Sequence, residues 1–295
     1  NAGGGAALPN SFLATYGWTG SADALRGTIA HEMTHTWTSA GGPGQWYGEG
    51  NAVYYQRLLP LRAGLFTPLE FLEDLDDSAS RYYSNALNAT PDGAIAARFW
   101  EDTRIRVLPY DRGAMYFAVL DEKIRAASGG KPKVDDLVFE VIARNRRAAA
   151  ASDAQWADLL AKELGPAGPQ LHVAMLRGEL MLPGPAAFGP CFTRTIGNVR
   201  RFELGFDPRS LVGDVKTIRG LQAESEAARA GLKDGDVVTY ATSLDGVQGD
   251  PERTLTLQAT RDGKTFPITY LPRGAETDIW QWERIAGVPD NACAF

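Results

Sequence analysis

The spacing of apolar residues divides the chain into a long helical part and a shorter part with strand-like alternation. From residue 67 to about residue 179 the apolar residues recur at helical intervals, most regularly over residues 107–125. Residues 254–260 instead alternate between apolar and polar, and with a turn and a second strand at residues 266–271 they predict a β-hairpin. The pattern therefore predicts a helical lobe followed by a small β-rich unit.

A further helix is predicted near the start of the chain, where apolar residues repeat at four-residue steps. They are Leu25, Ile29, Met33 and Trp37. Such a stripe is expected to pack against the protein, which turns the neighbouring side of the helix toward a cleft. The glycine-rich stretch 41–44 ends this helix and lets the chain turn back into a second one, which we expect to end before Pro60.

Composition and charge limit the class of protein. At 295 residues, of which 44% are hydrophobic, the chain is long enough for two domains with cores of their own. Its formal net charge of −6 argues against a nucleic-acid or anionic-membrane partner, and it has no apolar run of about 18 residues to form a transmembrane segment. The chain opens at Asn1 without a methionine or a signal peptide, so we expect a fragment whose upstream part is missing.

The strongest chemical signal is the pentapeptide His31-Glu32-Met33-Thr34-His35. Two histidines four residues apart on a helix lie on one side, one turn apart, where their neutral nitrogens can bind one zinc ion. Glu32 then lies beside the metal, where its carboxylate can accept a proton from water. The chain has only three histidines and two of them have this spacing, which favours a zinc site over an ordinary surface helix.

A catalytic zinc site needs a third protein ligand and one open position. Glu49 is the nearest downstream candidate, because the turn at residues 41–44 brings the second helix back toward the first. The rivals follow the second helix in sequence: Glu70, Glu73 and Asp74. These acids have another explanation, since Thr67-Pro68-Leu69-Glu70 is typical of a capped helix start. We therefore expect Glu49 to be the third ligand.

Together these residues resemble the gluzincin metallopeptidases, in which a glutamate on the next helix is the third zinc ligand. The resemblance rests on His31-Glu32-x-x-His35, Trp46-x-x-Glu49-Gly50 and Tyr54-Tyr55. It is to the glycyl aminopeptidase family in particular, whose members join a thermolysin-like catalytic lobe to a PDZ domain. The gap between His35 and Glu49 is shorter than in the better-known gluzincin aminopeptidases. The resemblance implies zinc as the cofactor and a peptide as the substrate.

Two further parts of the family pattern can be matched. Tyr110-Asp111-Arg112-Gly113 is similar to the family's Tyr-x-Lys/Arg-Gly motif, in which the tyrosine donates a hydrogen bond to the oxyanion. The glycine-rich segment before the zinc helix implies an edge strand that binds substrate, with Gly4, Gly5, Asn10 and Ser11 as the matching residues. A structural tyrosine and a plain N-terminal strand are the alternatives.

One family residue has no counterpart in this segment. Family members use a glutamate there to bind the free amine of the substrate, and residues 3–12 contain no acid. Exopeptidase and endopeptidase activity therefore both stay open.

The β-rich unit resembles a PDZ domain. Residues 201–206 are similar to the carboxylate-binding loop, and residues 226–238 match the short helix, turn and strand of that fold. The loop amides concerned are those of Leu204, Gly205 and Phe206. Residues 246–253, with two glycines and a proline, are not expected to form the helix that borders the peptide groove. We expect a structural or docking role, for a peptide or within the chain, rather than strong capture of C-termini.

We assign the chain to a multidomain α+β class. The expected parts are a mostly helical, thermolysin-like metallopeptidase domain over residues 1–181, a linker over 182–199, a PDZ-like domain over 200–273 and a C-terminal tail over 274–295. Cys191 and Cys293 bracket the PDZ-like part. They either form a disulfide, which indicates a periplasmic or secreted protein, or are buried thiols.

The sequence thus predicts a zinc metallopeptidase, and we favour an aminopeptidase with a preference for small N-terminal residues such as Gly or Ala. The zinc ligands are His31, His35 and Glu49. Glu32 is assigned as the general base and Tyr110 as the oxyanion donor. A metallo-endopeptidase and a catalytically disabled protein that binds or scaffolds peptides are the alternatives.

Overall fold

The structure is a computed structural model that describes residues 4–8, 11–15, 25–38, 42–130, 133–147 and 151–293. Its helices are α1 (Arg26–Thr38), α2 (Gln45–Arg62), α3 (Pro68–Tyr83), α4 (Ile95–Arg98), α5 (Thr103–Arg106), α6 (Leu108–Ser128), α7 (Val134–Asn145), α8 (Asp153–Leu164), α9 (Ala167–Leu176), α10 (Glu226–Arg229) and α11 (Leu244–Gly249). Its strands are β1 (Gly4–Leu8), β2 (Ser11–Thr15), β3 (Phe192–Phe202), β4 (Val237–Thr239), β5 (Leu255–Arg261), β6 (Lys264–Tyr270) and β7 (Arg273–Arg284). None of the helices in these ranges has the length and apolar character needed to cross a bilayer.

The predicted helical lobe is confirmed, and α2 and α6 cross at its centre. Their contact is close because two glycines face each other. A Cβ atom on Gly50 would lie 2.6 Å from the backbone of Gly113, and one on Gly113 would lie 2.7 Å from the Cα atom of Gly50. Buried aromatic rings pack around this crossing, among them Trp46, Tyr116 and Trp156. The helices α1 to α9, with this core, are called the helical lobe below.

The apolar stripe predicted on α1 is half-buried at Leu25 and Ile29 and exposed at Met33 and Trp37. Met33 and Trp37 are 40% and 48% exposed, whereas the buried residues of the helix are Glu32, Thr34 and Thr38. The helix contacts α2 and the β1–β2 hairpin. A four-residue repeat identifies side chains that share one side of a helix, but it does not determine which side faces the protein.

The predicted start of α3 is confirmed, whereas the predicted end of α2 is wrong. Thr67 and Glu70 exchange the hydrogen bonds of a capping box at the start of α3. Helix α2 continues past Pro60. Pro60 removes one backbone donor, but the last turn still closes because the amide of Ala63 donates to the carbonyl of Leu59.

The C-terminal β unit, residues 202–270, has a hydrophobic core of its own beside three antiparallel strands in the order β4–β5–β6. Strands β5 and β6 form the predicted hairpin. Its turn uses left-handed backbone at Asp262 (φ 50°) and Gly263 (φ 73°), which matches the twist of the flanking strands. The short helix, turn and strand predicted before the hairpin are present as α10 and β4.

Two long strands outside this core join the β unit to the helical lobe. Strands β3 and β7 pair with each other in antiparallel register, and β7 also lies against α3. There the amide of Trp282 donates to the carboxylate of Asp76 at 2.9 Å. The segment 182–199 was expected to be a linker and ends in strand β3, and the segment 274–295 was expected to be a tail and begins in strand β7. The paired strands are far apart in sequence, so no local pattern indicates their partnership.

The two cysteines form a disulfide. Cys191 and Cys293, with a sequence separation of 102, lie in the core of the helical lobe together with Phe192 and Trp282. A bond that closes a loop of about 100 residues contributes roughly 4 to 5 kcal/mol in the chain-entropy account of disulfides. It ties the end of the chain to the point where the chain leaves the helical lobe.

Residues 246–253 were not expected to form the helix that borders the peptide groove, and the structure has only the end of a short helix there, since α11 ends at Gly249. Ser243 caps this six-residue helix at its start. At its other end the buried guanidinium of Arg273 donates to the carbonyls of Val247 and Asp250. A short helix with two glycines is stable here because a buried arginine from a distant strand satisfies its terminal carbonyls.

The glycine crossing predicts a contrast between two substitutions on α2. Gly50→Ala should lower the free energy of unfolding by about 2–3 kcal/mol, because its Cβ meets the backbone of α6 and cannot be accommodated by moving a side chain. Gly48→Ala is the matched control, since no atom lies within 4 Å of its Cβ position. It should raise stability by up to about 1 kcal/mol through helix propensity. Urea unfolding of both variants tests this, and equal stability would contradict the close crossing.

Candidate metal centre

Helices α1 and α2 bring the three predicted ligands together. His31 and His35 lie one turn apart on α1, with their rings edge to face and 4.8 Å between centroids. The chain turns back after α1, and α2 places Glu49 opposite them. Within the described part of the chain, these three residues form the sole cluster of three or more His, Cys, Asp or Glu side chains suited to bind a metal ion.

The spacing of the donor atoms fits a tetrahedral zinc ion. The Nε2 atoms of His31 and His35 are 3.1 Å apart, and they lie 3.4 Å and 3.2 Å from Oε2 of Glu49. In a tetrahedral site with zinc–ligand bonds of about 2.0–2.1 Å, two ligand atoms are separated by about 3.3 Å. Two imidazole nitrogens and one carboxylate are also the donor types that zinc prefers. The residues present therefore fit the metal.

The electrostatics of the cluster favour a cation. Burial alone would lower the pKa of His31, but its hydrogen bond to Glu49 and the charge of that carboxylate outweigh burial and raise it. Burial would likewise raise the pKa of Glu49, yet the bonds to the two histidines lower it to about 2. Glu49 is thus ionised at neutral pH, and its negative charge favours a cation beside the two imidazoles.

A hydrogen-bond network behind His31 fixes its orientation. The Nδ1 atom of His31 lies 2.9 Å from Oε1 of Gln56, and Nε2 of Gln56 donates to both carboxylate oxygens of Asp74 at 3.1 and 2.8 Å. Arg57 pairs with the same carboxylate at 2.7 Å. A flipped Gln56 amide would set its carbonyl against the Asp74 carboxylate, which has no proton to donate. Gln56 therefore accepts the Nδ1 proton, and Nε2 of His31 keeps its lone pair for a metal.

The sequence interpretation missed this network, although one signal was present. Gln56 follows Glu49 by seven residues on α2, which places both on the same side of the helix. Asp74, considered above as a rival ligand, instead supports Gln56. The other rival with a defined partner, Glu70, caps α3 and pairs with Arg26 at 2.7 Å.

Glu32 lies beside the ligands without joining them. Its side chain is buried, burial raises its pKa, and its Oε2 atom has no hydrogen-bond partner among the described residues. It packs directly on β1, since a Cβ atom on Gly5 would collide with the Glu32 carboxyl group. Only a glycine leaves room for the carboxylate at this position.

Tyr110 lies across the same cleft, at the start of α6. Its ring stacks on that of His31 with 6.2 Å between centroids and an interplanar angle of 12°. Burial, followed by the charge of Glu49, raises the pKa of the phenol, so it stays protonated at neutral pH. It can therefore act as a hydrogen-bond donor beside the ligand cluster.

The N-terminal hairpin forms one wall of the cleft. The cleft has a volume of about 230 Å³, and its lining comprises Gly5, Ala6, Ala7, His31, Glu32, His35, Glu49 and Tyr110. Of the residues expected to bind substrate, Gly5 lines this cleft, whereas Gly4 and Ser11 do not. Asn10 lies outside the described residues.

Two other residues of the helical lobe have structural roles. His172 is buried and bonded on both ring nitrogens, to the hydroxyl of Tyr116 and to the carboxylate of Asp153, each at 3.2 Å. These two bonds give His172 a structural role. Arg112, two residues after Tyr110 in the motif, is fully buried and donates to the carbonyl of Thr90 at 2.7 Å, so its role is structural.

The loop predicted to bind carboxylates lies in the C-terminal β unit, away from this cleft. The side chains of Leu204 and Phe206 are buried in the core of that unit, and Gly205 has left-handed backbone with φ 81°. The carbonyl of Leu204 accepts from Tyr270, whereas the amides of residues 204–206 have no acceptor among the described residues. A groove of about 400 Å³ beside Gly205 is lined in part by Arg200.

The comparison with solved structures agrees with this architecture. A crystal structure of an aminopeptidase N family protein from Idiomarina loihiensis matches 94% of this chain with a TM-score of 0.58 at 17% identity. At this identity the match shows a similar fold over the aligned part alone. It spans 58% of that protein's length. Neither a family model nor a curated protein matches the sequence.

The network behind His31 predicts a loss of metal affinity on substitution of Gln56. Gln56→Ala should weaken zinc binding about 10- to 100-fold, because the imidazole loses the acceptor that fixes its tautomer. Gln45→Ala is the control, since Gln45 is an exposed residue at the start of the same helix. Chelator competition measures both affinities. Equal zinc affinity in the two variants would show that Gln56 does not orient His31.

Proposed function

We propose that this protein is a zinc-dependent peptidase. The observation that carries the proposal is the convergence of His31, His35 and Glu49 at tetrahedral spacing, with a buried carboxylate beside them that takes no part in the ligand set. The likeness of the fold to an aminopeptidase-family protein supports it. In its more specific form, the proposal is a peptidase similar to the glycyl aminopeptidase family, on the motifs described above.

Each residue of the cleft has a role in the proposed mechanism. A bound zinc ion would supply Lewis-acid polarisation of the scissile carbonyl and a lowered pKa for water. Glu32 takes the proton from the attacking water and passes it to the departing amine, for which its unpartnered Oε2 and raised pKa suit it. Tyr110 donates a hydrogen bond to the carbonyl oxygen as negative charge develops there. Gly5 and its neighbours in β1 offer an extended edge along which a peptide can lie.

For the substrate we propose a peptide with a free amino end and a small first residue such as Gly or Ala. The cleft has a volume of about 230 Å³, with glycine and alanine on one wall. Among the described residues that line it, Glu32 and Glu49 are the only carboxylates, and both have other roles. A carboxylate from outside this set must then pair with the substrate's ammonium group, because an unpaired buried charge is costly. Endopeptidase activity is the alternative and needs no such partner.

The C-terminal β unit is proposed to be PDZ-like, and the protein to be periplasmic or secreted. The three amides of residues 204–206 and the groove beside Gly205 support a PDZ-like unit. The Cys191–Cys293 disulfide supports an oxidising compartment, where such bonds persist.

Metal analysis and one substitution test the proposed function. The purified protein should bind one zinc ion, and His35→Ala should abolish binding because two ligands leave an incomplete site. Glu32→Gln should retain the metal and lose most peptide hydrolysis, since an amide cannot accept the proton from water. Full hydrolysis by Glu32→Gln would overturn the general-base assignment. Zinc binding by the wild type without hydrolysis of any peptide would favour a scaffolding protein.

Matched peptides with free and acetylated amino ends separate the two peptidase classes. We expect the free Ala- or Gly-initiated peptide to be cleaved at least about tenfold faster, because acetylation removes the ammonium charge and lengthens the end that the cleft must hold. Comparable cleavage of both peptides would reject the aminopeptidase and favour the endopeptidase.

A further inference from the structure

The short helix α11 connects the C-terminal β unit to the helical lobe close to the cleft. It lies against α3 and α5, and Asp245 forms the side-chain hydrogen bonds to α5. The Asp245 carboxylate accepts hydrogen bonds from Nε and from a terminal nitrogen of Arg106, the shortest at 2.7 Å, and one from the hydroxyl of Thr103. Because a guanidinium and a hydroxyl donate to the same carboxylate, the contact fixes the orientation of α11 relative to α5 as well as the distance between the two helices.

Both partners of this contact are themselves held in place. Arg106 is 21% exposed and its guanidinium lies over the ring of Trp100, while Asp245 is 38% exposed. On the other side, buried Arg273 holds the end of α11 through the carbonyls of Val247 and Asp250. The pair therefore loses less side-chain freedom on forming than a surface pair between two mobile side chains.

The contact is close to Tyr110 along the chain and in space. Arg106 ends α5 and precedes Tyr110 by four residues, with one residue, Val107, between α5 and α6. Asp111, the next residue after Tyr110, is fully buried and forms a bidentate pair with Arg81 of α3. Helix α11 touches this arginine as well, since a Cβ on Gly249 would lie 3.4 Å from the Arg81 guanidinium.

We propose that α11 is an intramolecular clamp and that Asp245 is a positioning residue for Tyr110. Asp245 holds the corner between α5 and α6, from which the phenol projects beside His31. The C-terminal β unit then uses α11 to fix the corner of the helical lobe that carries Tyr110 into the cleft. The docking stands on the contacts alone, and only the effect on turnover rests on the proposed function.

Hydrogen exchange tests the docking without any assay of activity. In Asp245→Ala, peptides that cover residues 103–111 should take up deuterium faster, because the α5–α6 corner loses its external anchor. Asp214→Ala is the matched control, an exposed carboxylate of the same β unit with no bonded partner among the described residues. It should leave this exchange unchanged. Equal exchange in wild type, Asp245→Ala and the control would overturn the clamp.

Kinetics test whether the clamp acts through Tyr110. Asp245→Ala should lower kcat about tenfold with little change in KM or zinc affinity, because the oxyanion donor is misplaced while the metal ligands are not. Asp245→Asn retains an acceptor for Thr103 and Arg106, and its kcat should fall between those of the wild type and Asp245→Ala. In a Tyr110→Phe background, Asp245→Ala should have almost no further effect, since the group it positions is gone.

The outcomes of these two experiments separate the hypotheses. An equal loss of kcat from Asp245→Ala in the wild-type and Tyr110→Phe backgrounds would overturn the positioning role. If the wild-type protein binds zinc but hydrolyses no peptide, the proposed function is rejected. The hydrogen exchange of residues 103–111 is then the only test of the role of α11 as a clamp. Faster exchange in Asp245→Ala alone would then support it, and unchanged exchange would reject it.

Discussion

The close crossing of α2 and α6 is the contact on which the cleft depends. Gly50 and Gly113 bring the two backbones together, and no side chain at either position could be accommodated without moving a helix. Each glycine lies beside a residue of the cleft. Glu49 precedes Gly50 directly, and Tyr110 lies one helical turn before Gly113. The crossing therefore places Glu49 and the Tyr110 phenol on one shared scaffold, beside the histidines of α1.

Several polar groups behind the cleft form one connected network of hydrogen bonds and ion pairs. A chain of hydrogen bonds runs from His31 through Gln56 to Asp74, and Arg57 forms an ion pair with that last carboxylate. Such a network is expensive to disrupt, because each member that loses its partner is left buried and unbonded. Glu32 differs, since one of its carboxylate oxygens has no bonded partner among the described residues. An unbonded carboxylate beside three residues that could bind a metal ion is the arrangement that the proposed general base needs.

The C-terminal β unit is attached to the helical lobe at both of its ends, and these attachments fix its position relative to the lobe. Strands β3 and β7 form a ribbon against α3, and the Cys191–Cys293 disulfide closes it within the core of the lobe. Helix α11 adds a separate contact near the cleft through Asp245. The unit is thus attached at two places, which restrains its rotation about either one.

The sequence alone predicted those features that depend on residues within one or two helical turns of each other, because such residues are neighbours in the chain. The spacing of His31 and His35 and the capping box at Thr67 are such features, and the structure contains both. Tertiary structure alone decided the partnership of β3 with β7 and the support that Arg273 gives to α11. The exposure of Met33 and Trp37 could not be read from the sequence, because periodicity shows which residues share one side of a helix but not how deeply each is buried. The sequence by itself determined which residues could bind zinc, whereas the packing of helices and strands decided what surrounds them, because burial and partnership are properties of the whole fold.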